Sequence, residues 1–209
     1  MNGLIRYTAA ALLLAAGMPA ADGPAKLSPS AEVVLEWLRF GNERHAQGKS
    51  VHWHQSPERR LEVAREQRPH AIVLTCSDAR VPPELLFDQG IGDLYVVRVA
   101  GNITGPREVA SIEYAAERLG VPVVVVLAHQ RCHVAEAAVE GKEEALAAAV
   151  ARAKFMSGDP ADQAAQVYAD SVAEKLRVSE PALARLVRMG KLKITSAYYN
   201  LDRGEVSWR

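Results

Sequence analysis

The chain is poor in the features that would settle its class at once. Among 209 residues there are only two cysteines, Cys76 and Cys132, so at most one disulfide could form. Positive and negative charges balance at 25 each. That points away from nucleic acid and from an anionic membrane surface as partners. No apolar run reaches the roughly 20 residues that a bilayer crossing needs. No internal repeat and no low-complexity segment stands out. What remains is ordinary for a soluble globular protein: 49% hydrophobic and 24% charged residues, in a length that suits one domain with a sizeable core.

The first residues differ from the rest. MNGLIRYTAAALLLAAGMPAADGPA has one early cation, Arg6, a short apolar run over Ala9 to Met18, and small residues at Ala20 and Ala21. This is the layout of a secretory signal peptide, although Pro19 blurs its cleavage pattern. An uncleaved anchor and a disordered tail are the other readings. The expectation is a leader over residues 1–24, a single domain over 25–209, and a periplasmic or secreted protein with no membrane contact after cleavage. In such a protein a disulfide between Cys76 and Cys132 is the plain reading.

Hydrophobic periodicity predicts an amphipathic helix over 28–49, capped by Ser28 or Ser30, with Val34, Trp37 and Leu38 at helical spacing and Val33, Leu35 and Phe40 widening the face. A short helix follows over 57–66, with Pro57 in its first turn. AIVLT (71–75), LYVVRVA (94–100) and VPVVVVLAH (121–129) read as strands, and PREVASIEYAAERLG (106–120) as a helix between them. Residues 132–189 are Ala-rich and helical, with breaks near Gly158–Pro160 and at Pro181. The chain ends in a strand, a turn through Asp202 and Gly204, and an antiparallel return. The fold class is therefore α/β: a mostly parallel central sheet flanked by helices, with an antiparallel C-terminal edge strand.

In open sheets of this kind ligands sit beyond the carboxyl ends of the strands. One strand ends at Cys76, followed by Asp78 and Arg80. Another ends at His129, followed by Cys132 in the first turn of the next helix. If the strands are neighbours, two thiols and an imidazole converge, which suits a four-coordinate zinc ion with one position left open. In an extended segment residues 76, 78 and 80 point to one side, so Asp78 would flank the metal while Arg80 keeps it ionised.

CSDAR at 76–80 followed by HQRC at 129–132 resembles the zinc motif of the β-class carbonic anhydrases. GNERHAQGK (41–49), residues 66–102, residues 111–132 and YNLDRG (199–204) look like the same family, so the likeness spans nearly the whole chain after the leader. The resemblance implies one zinc ion per chain on Cys76, His129 and Cys132. It implies an Asp78–Arg80 dyad whose aspartate can itself occupy the fourth zinc position in closed forms. It implies that Gln67 contacts substrate, and that the chain assembles as a homodimer or tetramer with active sites near the dimer interface. The implied reaction is reversible hydration of CO2 to bicarbonate by zinc-bound hydroxide.

Three positions depart from the family text: Ala79, Ala128 and His133, the last replacing a glycine beside the second cysteine. His133 is open to three readings: a proton shuttle, an intrusion on the pocket, or a side chain directed away. Hydrolysis of carbon disulfide or carbonyl sulfide on the same fold, and a zinc-binding relative without turnover, are the alternative functions. Elsewhere His52 and His54 read as surface residues, Phe87, Val97 and Tyr114 as packing, and Glu84 and Asp88 as solvated or capping groups on a short helix. Gly101 and Asn102 read as shaping a turn after a strand end. The alanines from 145 to 165 read as helix filler.

Overall fold

The computed structural model describes residues 29–178 and 180–209. The expected leader over 1–24 lies outside them, as does Ser28. The first helix, α1, spans Ala31–Ala46, and Ser30 Oγ accepts from Val33 N at its start. Val34, Leu35 and Leu38 are buried against the core. Val33, Trp37 and Phe40, read as part of the same apolar face, remain about half exposed. They repeat at i, i+4 and i+7 and form a second stripe, turned away from the sheet. Helix α2 (Pro57–Glu62) stops four residues short of the expected end, and none of its residues is buried to extend it.

The strands are β1 (Ala71–Thr75), β2 (Leu94–Arg98), β3 (Val123–His129), β4 (Lys193–Asn200) and β5 (Glu205–Trp208). Their order is β2-β1-β3-β4-β5. The first four lie parallel and β5 pairs antiparallel to β4, as expected. Every residue of β1 and β3 is buried. That is why both read as unbroken β-branched and aliphatic runs.

Between the strands lie α3 (Pro83–Leu86), α4 (Pro106–Arg118), α5 (His133–Val139), α6 (Ala147–Ala153), α7 (Pro160–Val178) and α8 (Pro181–Arg188). Pro160 and Pro181 each open a helix, as expected. A further break, not foreseen, separates α5 from α6 near Gly141, whose φ of 75° ends the helical path. Ala161, Ala165, Ala169 and Ala173 are buried in the core cluster on the face that α7 turns to the sheet, and Ala164 is buried beside it. Their small side chains give that helix close access, so those at 161–165 are packing surface and not mere filler.

Two ties fix α1 to the far end of the chain. Buried Asn42 donates from Nδ2 to Leu86 O and Gly204 O, and its Oδ1 accepts from Val206 N at 2.7 Å. A β-carbon on Gly41 would stand 1.8 Å from Phe87 O, so only glycine permits that approach. Phe87 is fully buried and Val97 packs at the core edge, whereas Tyr114 is half exposed. Asp88 corrects its expectation. It follows α3 with φ of 48°, its side chain is 1% exposed, and it accepts from Arg44 Nε and from the backbone of Val51 and His52. It is a buried anchor for the 49–56 loop. A carboxylate there is stable because three donors replace its water.

Candidate metal centre

β1 and β3 are neighbours in the sheet, with Thr75 level with Leu127. Their carboxyl ends therefore open on the same place. Cys76 follows β1, His129 closes β3, and Cys132 is the N-cap residue of α5, one step before the helical turn expected for it. One ligand atom from each residue lies within 4.8 Å of the others. All three side chains are buried, His129 at 1% exposure. Both cysteines are free thiols, so the disulfide reading does not describe them.

The imidazole decides what this cluster can hold. His129 Nδ1 donates to Gln130 O at 2.9 Å, which assigns the proton to that nitrogen. Nε2 is left as an acceptor. It is buried, and it is the one buried side-chain nitrogen or oxygen among the described residues with no hydrogen-bond partner. A buried lone pair without a partner is costly unless something else takes it. Beside it, a hydrogen bond from Cys132 holds the Cys76 thiol down to about 4, despite burial, with the Gly101 backbone adding to the effect. The neighbouring Cys76 thiolate and burial push the Cys132 thiol up. The pocket thus gathers two sulfurs that a bound cation would hold as thiolates and a free imidazole lone pair. That donor set fits zinc.

The dyad is present, in a different local geometry from the one expected. The chain turns over residues 78–81, where Val81 N donates to Asp78 O at 3.2 Å, and does not run on extended through Arg80. Asp78 Oδ1 accepts from Arg80 N and Arg80 Nε, both at 2.9 Å, and Oδ2 accepts from Arg80 Nη2 at 2.7 Å. This bidentate pair holds the Asp78 carboxyl well below the usual carboxylate range, against the opposing effect of burial.

Two residues outside the motif shape the same turn. Arg98, at the end of β2, donates from Nε to Cys76 O at 3.0 Å and from Nη2 to Asp78 O at 2.5 Å. Gly101 N donates to Cys76 Sγ at 3.3 Å. Gly101 has φ of 62°, and a β-carbon there would come within 2.5 Å of Val134 Cγ1. A side chain is thus excluded by strain and by contact. Asn102 Nδ2 and Thr75 Oγ1 both donate to Leu127 O, tying this corner to β3. A glycine just past a strand end was the only sequence signal for this group.

The model of the carbonic anhydrase family matches residues 71–206. The chain belongs to the carbonic anhydrase family. It is 33% identical over 196 residues to carbonic anhydrase 2 of Mycobacterium tuberculosis, covering 87% of this chain and 95% of that protein. It is 34% identical over 164 residues to the carbonic anhydrase of Pseudomonas aeruginosa, covering 69% and 74%. Among solved structures it is similar to a tetrameric β-carbonic anhydrase from the ascomycete Sordaria macrospora, with a TM-score of 0.67 at 21% identity over 84% of this chain and 96% of that one. The β-carbonic anhydrase CcaA superposes with a TM-score of 0.65 at 22% identity, covering 84% and 94%. The fold is that of the β-class enzymes.

In this carbonic anhydrase the remaining expected residues fall in two places. His133 is the first residue of α5, exposed, with ordinary helical backbone, so the main chain there does not require glycine. Ala128 is buried within β3. Gln67 is not near the cluster of its own chain. It lines a surface groove with Pro69, His70 and Tyr114, at the amino end of β1. The five residues of β1, about 17 Å of strand, separate it from Cys76.

Proposed function

We propose that this carbonic anhydrase catalyses the reversible hydration of CO2 to bicarbonate with one zinc ion held by Cys76, His129 and Cys132. The unpartnered Nε2 of His129, facing two thiols beside a bidentate Asp78–Arg80 pair, carries the reading. Zinc, when bound, supplies a Lewis acid that brings water within reach of deprotonation near neutral pH. The chain supplies the rest. Arg80 holds the Asp78 carboxyl below the usual carboxylate range and so keeps it ionised at neutral pH. The carboxylate accepts a hydrogen bond from the attacking water and aims its lone pair at carbon. The new C–O bond completes bicarbonate, and the proton passes to solvent.

Stopped-flow CO2 hydration, with zinc content measured on the same sample, tests this reading. Asp78→Asn is expected to retain zinc and to lose about 10²–10⁴-fold in rate. A full complement of zinc with no hydration in the unaltered protein would overturn it. Carbon disulfide and carbonyl sulfide belong in the same assay. Neither Ala128, buried in a strand, nor His133, exposed on α5, gives the sulfur substrates a geometric argument.

Gln67 contributes to substrate binding only if it reaches the cluster of a second copy, so the proposal includes a homodimer as the smallest complete enzyme. The exposed stripe of Val33, Trp37 and Phe40 on α1 offers apolar surface for such contact. Sedimentation of active protein tests it, and a fully active monomer would refute it. Export, with removal of residues 1–24, is proposed from the leader pattern. The mass of the mature chain recovered outside the cytoplasm checks it.

A further inference from the structure

Arg80 is held from two sides. One side is Asp78. The other is the carbonyl of Arg131, which accepts from Arg80 Nη2 at 2.9 Å. Arg131 lies in the two-residue link between His129 and Cys132, and its φ is 51°. That left-handed conformation is costly for a residue with a β-carbon and persists only where the surroundings impose it.

The surroundings are identifiable. Arg131 N donates to Asp162 Oδ1 at 2.7 Å. Asp162 stands in the first turn of α7, where a carboxylate is favoured by the helix dipole. The turn is itself fixed, because Asp159 Oδ1 accepts from both Ala161 N and Asp162 N. Asp162 also lies against Tyr198, whose phenol is pushed up by burial first and by this carboxylate second. The Arg131 and Gln130 side chains reach Asp202, but that pair is half exposed and screened by solvent.

We infer that Asp162 is a positioning residue for the reaction: by holding the Arg131 N–H it keeps the left-handed backbone of Arg131 that directs the Arg131 carbonyl to Arg80, which in turn anchors Asp78. Asp162 touches neither substrate nor metal ligand side chain. It acts through the backbone of the link that joins two ligands. The inference rests on the carbonic anhydrase reading of Asp78, but its structural half stands separately.

The test uses full-length zinc-loaded protein, unaltered and as Asp162→Ala and Asp162→Asn. Zinc content, kcat and KM are measured together with hydrogen exchange of the Arg80 Nε–H by ¹⁵N NMR, assigned through Arg80→Lys. Asp162→Ala is expected to keep its zinc and its KM and to lose about ten- to a hundredfold in kcat. Its Arg80 Nε–H, which points at Asp78, is expected to exchange about tenfold faster or more. Asp162→Asn keeps an oxygen acceptor for Arg131 N and should recover most of both. Asp162→Ser stands in if the alanine variant does not fold. Unchanged Arg80 protection in Asp162→Ala overturns the inference, as does a fall in kcat that the asparagine variant does not relieve. Faster Arg80 exchange in a protein whose unaltered form never hydrates CO2 would uphold the brace and sink the proposed reaction instead.

Discussion

The two ends of β1 are about equally rich in polar chemistry, and among the described residues only the carboxyl end gathers a metal-type donor set. At the amino end His70 Nε2 donates to Gln89 Oε1, His54 Nδ1 donates to both oxygens of Asp93, and Arg59 donates to Asp93 Oδ1 and Ile91 O. Gly90 N takes the remaining side of Asp93. Each of these polar groups has a partner. At the carboxyl end the thiols of Cys76 and Cys132 crowd one another and His129 Nε2 has no partner at all. Density of titratable groups therefore does not mark function in this molecule. Unspent bonding capacity, kept buried, does.

The sharpest way to break the contrast is His129→Ala. Zinc content and CO2 hydration should both fall to background, because two cysteines alone leave the donor set incomplete. Arg98→Ala should be next in size. It frees the carbonyls of Cys76 and Asp78 while leaving every ligand in place, so metal affinity or rate should drop about ten- to a hundredfold, as read by chelator competition and stopped flow.

At the amino end the same kind of deletion should cost stability instead. Asp93→Asn weakens the contacts of His54, Arg59 and Gly90. Denaturant unfolding should report a loss of about 1–3 kcal/mol with zinc content unchanged. The smallest effect is a pH slope. Burial lowers the pKa of His70, against the pull of Asp93 and the Gln89 hydrogen bond, with His54 and Arg59 lowering it further. The unfolded chain then binds that proton more readily than the native one. The contribution is full above about 6.5 and is lost as pH falls below it. His70→Gln should flatten that part of the stability curve.

Much of this was legible from residue order. Unbroken β-branched runs marked the buried strands, and the residues closing two of them named Cys76, His129 and Cys132. Proline and glycine punctuation placed most helix limits. What escaped was carried by the backbone across long separations. Arg98 is recognised by two carbonyls, Gly101 by one N–H and a neighbouring valine, and Asp162 by a single amide of a distant link. None of these contacts constrains residue type at a spacing that a pattern could reveal. Asp88 misled for a related reason, since two of its three donors, Val51 and His52, are backbone amides, and any residue but proline presents one. The Asp78–Arg80 pairing was found with the wrong local path, because alternation along a strand and a tight turn bring the same two side chains together.

The ring of His129 bears on how the protein matures. Its orientation is set by Gln130 O, and its neighbours come from distant parts of the chain, gathered by the ends of two adjacent strands. Two sulfurs and one imidazole do not by themselves select their ion, and copper outranks zinc in intrinsic affinity for such donors. The supply of metal where the chain is loaded, and not the donor set alone, would then decide how much of the population carries zinc.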